Sequence, residues 1–340
     1  MAIKINMLSL ADSVSGQGVG SAYIEQTNLV KQIPELEISV NSRAHDFDIY
    51  HIHSVNYRYY RRMKKDHVNI VYVHFIPKEN EGSIKLPKLA TKIFDWYVES
   101  FYKRADELVV VNPCFITPLK ELGIPEEKIT YIPNYVAKET FFPLEKDVVN
   151  EIKVRYQIPV DKFIVLGCGQ IQTRKGFDDF VKCAASNPNL YFLWAGGFSF
   201  GRITHGYKEY KKMMKNLPSN MMVTGIVDRS KMNEIFNIAD VLFMPSHKEL
   251  FPMSILEAAN AHKPILLKKL TLYTPILFDK YCHGTGVEEY SEELQKLAND
   301  SSYYQKRIDD AIFLSNFYSK ERLMEEWKNY YERIYEKYKK

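Results

Sequence analysis

Short apolar runs alternate with longer amphipathic stretches along most of the chain. In the first half the runs are 3–10, 48–53, 69–74, 107–111 and 128–132. Each is nearly continuous in apolar residues, the pattern of a parallel strand buried on both faces. Residues 133 through 158 interrupt this rhythm with polar, proline-containing sequence and read as a connection between domains. A second series follows at 162–167, 190–195, 221–224, 240–244 and 264–267. Two such series predict an α/β protein of two doubly wound, Rossmann-like domains, with a cleft at the carboxyl ends of their strands. The domains are expected at 1–140 and 141–316. The last stretch, 317–340, sets Leu323, Trp327, Tyr331, Ile334 and Tyr338 at helical spacing, which predicts an amphipathic helix.

The totals narrow the class. At 340 residues, 46% hydrophobic and 26% charged, the chain has the length for two domains and the make-up of a folded soluble protein. A net charge of +4 over this length argues against nucleic acid as a partner. Cys114, Cys168, Cys183 and Cys282 show no close pair and no metal-ligand spacing. Each lies in or near an apolar run, so buried free thiols in a reducing compartment are expected. No signal-peptide pattern opens the chain and no apolar run approaches ~18 residues, so nothing is expected to span a membrane.

Two carboxylates stand out. Glu249 and Glu257 flank Leu-Phe-Pro-Met-Ser-Ile-Leu, directly after the run 240–244. Pro252 and Ser254 can start a helix, proline in the first turn and serine as a cap. One acid then lies in a loop at a strand end and the other in the first turns of the next helix. Free N–H groups there attract anions, and the acids can accept hydrogen bonds from sugar or ribose hydroxyls. Such a pocket suits a sugar–diphosphate.

Glu-x7-Glu, within Ala239-Asp240, Pro245-Ser246, Phe251-Pro252 and Leu256-Glu257-Ala258, resembles the signature of family 4, the retaining, nucleotide-sugar-dependent glycosyltransferases of the GT-B fold. The resemblance implies that Glu249 lies close to the donor sugar and that Glu257 binds the nucleotide ribose. It sets Phe251, Pro252, Met253, Ser254 and Ile255 against the donor. It also implies that the C-terminal helix crosses back to the first domain.

Glycine turns follow the first strand of each half. Gly16-Gln-Gly18-Val-Gly20 precedes a helical run, where glycine admits close backbone approach and a helix N-terminus offers donors to phosphate. The spacing is not the Gly-x-Gly-x-x-Gly of dehydrogenases. In the second half, Gly167-Cys-Gly169-Gln170 leads to Arg174-Lys175-Gly176. Adjacent cations at a strand-to-helix turn would offset the charge on a departing diphosphate. The family usually has Arg where this chain has Gln170, and Lys175 matches. Arg174 is the candidate to supply the missing charge.

By the same resemblance, His74 at the end of 69–74 faces the donor sugar and assists catalysis. Gly196-Gly197 lines the cleft, and Ile226 lies by the nucleobase. Two departures are local: Tyr135 follows Ile132-Pro-Asn134 where the family has Gly, and His262 stands in Ala261-His-Lys-Pro264 where the family has Ala-x-Gly-x-Pro. Asp46-Phe-Asp48 fits a metal-holding pattern of another fold, but it opens a buried strand and is assigned to capping or turn formation. No essential metal or other cofactor is expected.

Arg58, Arg61, Arg62, Lys64 and Lys65 crowd one segment with two tyrosines. Further on, Lys88 and Lys92 precede Trp96. Cations beside aromatic rings suit the headgroups of an anionic leaflet. The chain resembles bacterial enzymes that glycosylate diacylglycerol or glucosyl-diacylglycerol. A UDP-sugar-dependent hexosyltransferase is expected, cytoplasmic and peripheral on the inner face of the cell membrane, with glucose or galactose as the sugar. A soluble or cell-wall saccharide acceptor, a non-catalytic partner role suggested by Gln170, and a homo-oligomer all stay open.

Overall fold

The computed structural model describes residues 2–10, 18–64, 66–77, 88–199, 201 and 206–339. The chain divides into two compact units. One comprises the described residues of Met1–Glu81, Leu86–Tyr135 and Tyr318–Lys340, and the other is built on Val136–Phe317.

The first unit holds β1 (Ile3–Leu8), β2 (Leu36–Val40), β3 (Ile49–Ile52), β4 (Val68–Val73), β5 (Glu107–Val110) and β6 (Ile129–Tyr131). They pair in the order β2-β1-β3-β4-β5-β6, parallel throughout. The second unit holds β7 (Ile164–Cys168), β8 (Tyr191–Ala195), β9 (Met221–Gly225), β10 (Val241–Met244), β11 (Ile265–Lys268) and β12 (Cys282–Gly284). Its order is β12-β11-β10-β7-β8-β9, again all parallel. The strand order reverses between β1 and β3 in the first sheet and between β7 and β10 in the second. In open α/β sheets ligands bind at the carboxyl ends of strands beside such a reversal.

Every predicted run contains a strand, and β3, β4, β5 and β10 are buried along their whole length. Two strands have no counterpart among those runs, β2 and β12. Both are sheet edges, β2 with only its first residue buried and β12 three residues long, so neither leaves a continuous apolar run. The stretch 133–158 is also more structured than expected. It contains the helix Lys146–Arg155, which joins the second unit, where Arg155 meets Glu234 at 2.7 Å. Of the four thiols, Cys114 is exposed, contrary to expectation, because it lies in a single 3-10 turn beyond β5. The C-terminal helix Lys320–Tyr338 belongs to the first unit and buries Leu323, Trp327, Tyr330, Tyr331 and Ile334. Its last turn meets Glu107 through Lys337 at 2.6 Å and Tyr338 at 2.9 Å.

Both sheets set their register with one device. Asp48, Asp106 and Asp240 each immediately precede a strand. Each donates its backbone N–H to the carbonyl of the residue just before the paired register next door, namely Lys4, Asn69 and Ile164. Each carboxylate then accepts the N–H of that same residue, at 2.8, 2.8 and 2.7 Å. Asp48 therefore has a structural partner, and Asp46 pairs with Lys4 Nζ at 3.2 Å. Burial pushes the Asp240 carboxyl above its ordinary value. Asp240→Ala leaves the Ile164 N–H without its acceptor and is expected to cost about 1–3 kcal/mol, with Asp240→Asn costing less. Urea unfolding of the two variants measures this, and equal midpoints would remove the assignment.

Candidate active site

Three loops meet at the carboxyl end of the second sheet. β7 runs into Gly169, whose N–H donates to Ala195 O at 3.0 Å, and Trp194 Nε1 donates back to Gly169 O at 3.0 Å. Gly196 has φ 148°, and a Cβ there would lie 1.8 Å from Gly169 O, so only glycine fits. A 3-10 turn, Thr173–Lys175, ends at Gly176 with φ 69°. A Cβ on Gly176 would lie 2.2 Å from Pro245 O, just past β10. The glycines thus let the loops after β7, β8 and β10 touch backbone to backbone. Gly197 adjoins Ile226, which is 49% exposed.

Each acid of the Glu-x7-Glu pair is buried against a cation. Lys175 Nζ donates to Glu249 Oε1 at 2.5 Å, and Arg174 lies 3.4 Å from Oε2 while donating to Lys248 O at 2.8 Å. Burial would raise the Glu249 carboxyl, but Lys175 and Arg174 outweigh it and hold it below the usual carboxylate range. Burial, reinforced by Arg174, lowers the Lys175 ammonium against the pull of Glu249. Counting side chains, Arg174, Lys175 and Glu249 leave one net positive charge at this strand end. Gln170 contributes none, and its amide oxygen accepts from Gln172 at 3.3 Å.

Glu257 lies in the second turn of the helix Met253–Asn260, and Arg229 NH1 donates to it at 2.6 Å. Arg229 in turn stacks over Phe141, 5.0 Å from the ring centre. The sequence motifs do not single out Arg229. The signal available was a cation opening the helix after β9, at the same sheet end as the two acids. Ser254 does not cap its helix. Pro252 occupies the cap, and the Ser254 hydroxyl donates to Met244 Sδ at 3.1 Å. The side chains of Phe251, Met253 and Ile255 are buried in the core, so a ligand could meet these residues only through their backbone. The leading N–H groups of the helix, on Met253 and Ser254, have no partner within it.

In the first unit, His53 and His74 directly follow β3 and β4, with β3 beside the strand-order reversal. With His51 they form a buried stack, with ring centres 4.6 Å apart for His51–His53 and 5.7 Å for His53–His74. His51 Nδ1 bonds Tyr331 OH at 2.7 Å, whereas both His53 nitrogens and His74 Nε2 lack partners among the described residues. Burial lowers His51 and His74 to about 3, and His53 well below its ordinary value. Gly18 opens the helix Gly18–Val30, with nothing within 4 Å of a built Cβ among the described residues. Gly16, Lys65 and the side chain of Lys88 lie outside the described residues.

The basic segment of the first unit is only partly free. Arg58, Arg61, Lys64 and Lys92 are exposed. Arg62 instead turns inward, donating to Ser42 O at 3.0 Å beneath the Tyr50 ring. On the helix Lys88–Arg104, Leu89, Ile93 and Trp96 form an exposed apolar stripe, 71%, 59% and 68% exposed.

Residues 148–312 match the family described as glycosyl transferases group 1, and residues 31–139 match glycosyltransferase family 4. An alpha-galactosylglucosyldiacylglycerol synthase of Streptococcus pneumoniae is 41% identical over 97% of this chain and 90% of its own length. The chain belongs to the family 4 glycosyltransferases. A processive diacylglycerol alpha-glucosyltransferase of Acholeplasma laidlawii is 22% identical over 83% of the chain and 84% of its own. The fold matches that of Anabaena HepE, solved in complex with UDP-glucose, at a TM-score of 0.77, 12% identity and coverage of 97% of this chain and 100% of that one. This is the GT-B architecture of paired Rossmann-like sheets. A surface hollow of about 720 Å³ in the second unit, lined by Glu139, Phe142, Val148, Ile152, Arg155 and Glu234, shares no residue with the Glu249 cluster.

The buried histidines of this glycosyltransferase make its stability pH-dependent in a defined direction. They stay neutral in the folded state, whereas the unfolded chain protonates them near their ordinary value of 6.5. Their contribution is complete above that pH. It is lost as pH falls from 6.5 toward about 3, where folded His51 and His74 also protonate. Each is expected to cost about 1.4 kcal/mol per pH unit in that window. Urea unfolding across the acid range should show a shallower slope for His53→Phe than for the wild type. Identical slopes would contradict the neutral cluster.

Proposed function

We propose that this enzyme moves galactose from a UDP-sugar onto glucosyl-diacylglycerol with retention of anomeric configuration. The observation that carries the proposal is the 41% identity, across nearly the whole chain, to a synthase whose name states a galactosylglucosyl-diacylglycerol product. The weaker likeness to a diacylglycerol glucosyltransferase favours a second reading, UDP-glucose with diacylglycerol. In both, Lys175 and Arg174 meet the diphosphate and stabilise the charge that builds as it departs. The family resemblance sets Glu249 and His74 against the hexose and Glu257 against the ribose hydroxyls. Arg229 then serves as a positioning residue, holding Glu257 through its Oε1. The acceptor hydroxyl attacks on the face from which the phosphate leaves, and a phosphate oxygen takes its proton.

Side-chain cations fill the role that a metal would otherwise play at the diphosphate, so we propose transfer without an essential metal. The exposed stripe of Leu89, Ile93 and Trp96, with Lys92 beside it, supports a peripheral seat on the inner membrane leaflet. Among the described residues no helix is long and apolar enough to cross a membrane.

The deciding experiment offers UDP-galactose and UDP-glucose to purified enzyme with glucosyl-diacylglycerol or diacylglycerol in neutral micelles. Mass spectrometry identifies the product and NMR reads its anomeric configuration. An α-linked galactosylglucosyl lipid is expected, and turnover should survive a chelator. Transfer only to soluble saccharides, or an inverted linkage, would overturn the reading. Lys175→Ala and Glu257→Ala should each lower kcat/KM by orders of magnitude. Full activity in both would defeat the site assignment.

A further inference from the structure

The second unit carries a basic surface that its catalytic cluster does not use. The helix Tyr207–Met213 lies in the crossover from β8 to β9. Lys208, Lys211, Lys212 and the following Lys215 are all exposed. At about 100° per residue Lys208, Lys211 and Lys212 fall within an arc of roughly 100°, on one face, and Lys215 follows in the turn beyond the helix. The opposite face is apolar: Tyr210 is buried in the core of this unit, with Met213, Met214 and Leu217 packed against the same cluster. The tyrosine ring meets Phe177 edge-on at 5.7 Å, and Tyr207 meets Phe198 at 4.8 Å. The helix is therefore anchored and its lysine face fixed in direction.

Several lysines of the same unit are held by carboxylates. Lys182 meets Asp178 and Asp179, Lys231 meets Glu234, and Lys280 meets Asp310. None of these four has a carboxylate within ion-pair distance among the described residues. Glu209 is the one acid on the helix. Four like charges repel one another unless an external anion lies over them. The surface also begins at the rim of the candidate site. A Cβ on Gly206 would lie 3.4 Å from Thr173 Oγ1, and Thr173 directly precedes Arg174 and Lys175.

We propose that this lysine face is a second membrane contact, seated on the headgroups of an anionic bilayer and made by the sugar-donor unit itself. The occupant follows from charge complementarity, since exposed ammonium groups on a short helix suit a diffuse negative surface. A bilayer is favoured over a nucleic acid because the whole chain carries only +4, and because the proposal rests on the reading of the acceptor as a lipid. Donor binding and access to the lipid acceptor would then be joined in one unit.

The test uses the full-length enzyme and vesicles of equal parts phosphatidylglycerol and phosphatidylcholine, compared with phosphatidylcholine alone. Sedimentation should show salt-sensitive binding of the wild type to the anionic vesicles only. A variant with Lys208, Lys211, Lys212 and Lys215 all changed to Gln is expected to bind them at least about tenfold more weakly. It should keep wild-type turnover in neutral micelles, which shows that it folds. The corresponding Lys→Arg variant should bind like the wild type. Undiminished binding by the Gln variant overturns the proposal, as does wild-type binding to duplex DNA but not to vesicles. Absence of lipid transfer by a wild type that still binds anionic vesicles through these lysines would count against the acceptor reading and leave this surface standing.

Discussion

The ion pair between Glu249 and Lys175, with Arg174 alongside, organises the second unit's candidate site. It joins the loop after β10 to the loop after β7 at the place where the strand order reverses. All three side chains are largely withdrawn from water, so removing either cation would leave a buried carboxylate short of compensation. Fold and chemistry are therefore coupled here. On the proposed reading, a diphosphate arriving at this strand end would meet cations already fixed by Glu249, and would share them with that acid. Preorganised charge of this kind needs no rearrangement at the moment charge develops, which is why such sites stabilise leaving groups well.

The rest of the scaffold serves to hold these strand ends in register. Asp48, Asp106 and Asp240 pin strand starts at the opposite ends of the sheets through paired backbone and carboxylate bonds. A parallel sheet cannot set its register with tight hairpins, because each strand returns through a long crossover. A side chain that bonds both ways to the neighbouring strand supplies that reference locally. At the carboxyl ends, glycine does the corresponding work by letting loops approach. Gly196 rests on Gly169 and Gly176 on Pro245, with no room for a side chain.

Much of this was legible in the sequence, for a physical reason. Central parallel strands are buried on both faces, so β3, β4, β5 and β10 announce themselves as apolar runs. The edge strands β2 and β12 do not, because half-exposure dilutes the run. The motif around Glu249 and Glu257 was legible because its spacing is local. Its cationic partners were legible unevenly. Lys175 sits in a motif of its own, whereas Arg229 reaches Glu257 from another helix, 28 positions away in sequence. Ser254 misled for a related reason. Serine has the chemistry of a cap, but Met244 lay within reach of its hydroxyl and the chain turned at Pro252. Arg62 carried charge in the sequence, yet the Ser42 carbonyl and the Tyr50 ring draw it inward.

The two strand-order reversals end in opposite chemistry. That of the second unit offers fixed charges, two acids each matched by guanidinium or ammonium. That of the first offers neutral imidazoles, because a buried stack of three histidines cannot accept protons without placing like charges about 5 Å apart in a dry interior. A neutral ring can donate from one nitrogen and accept at the other, which suits a hydroxyl and not a phosphate. Each reversal thus sets the polarity of the groups it can hold, charged in the second unit and uncharged in the first. Burial selects the uncharged set just as ion pairing selects the charged one. A charged residue at His74 would face the same desolvation that now keeps the imidazole neutral, so the site's polarity is set by the sheet around it as much as by the residue itself.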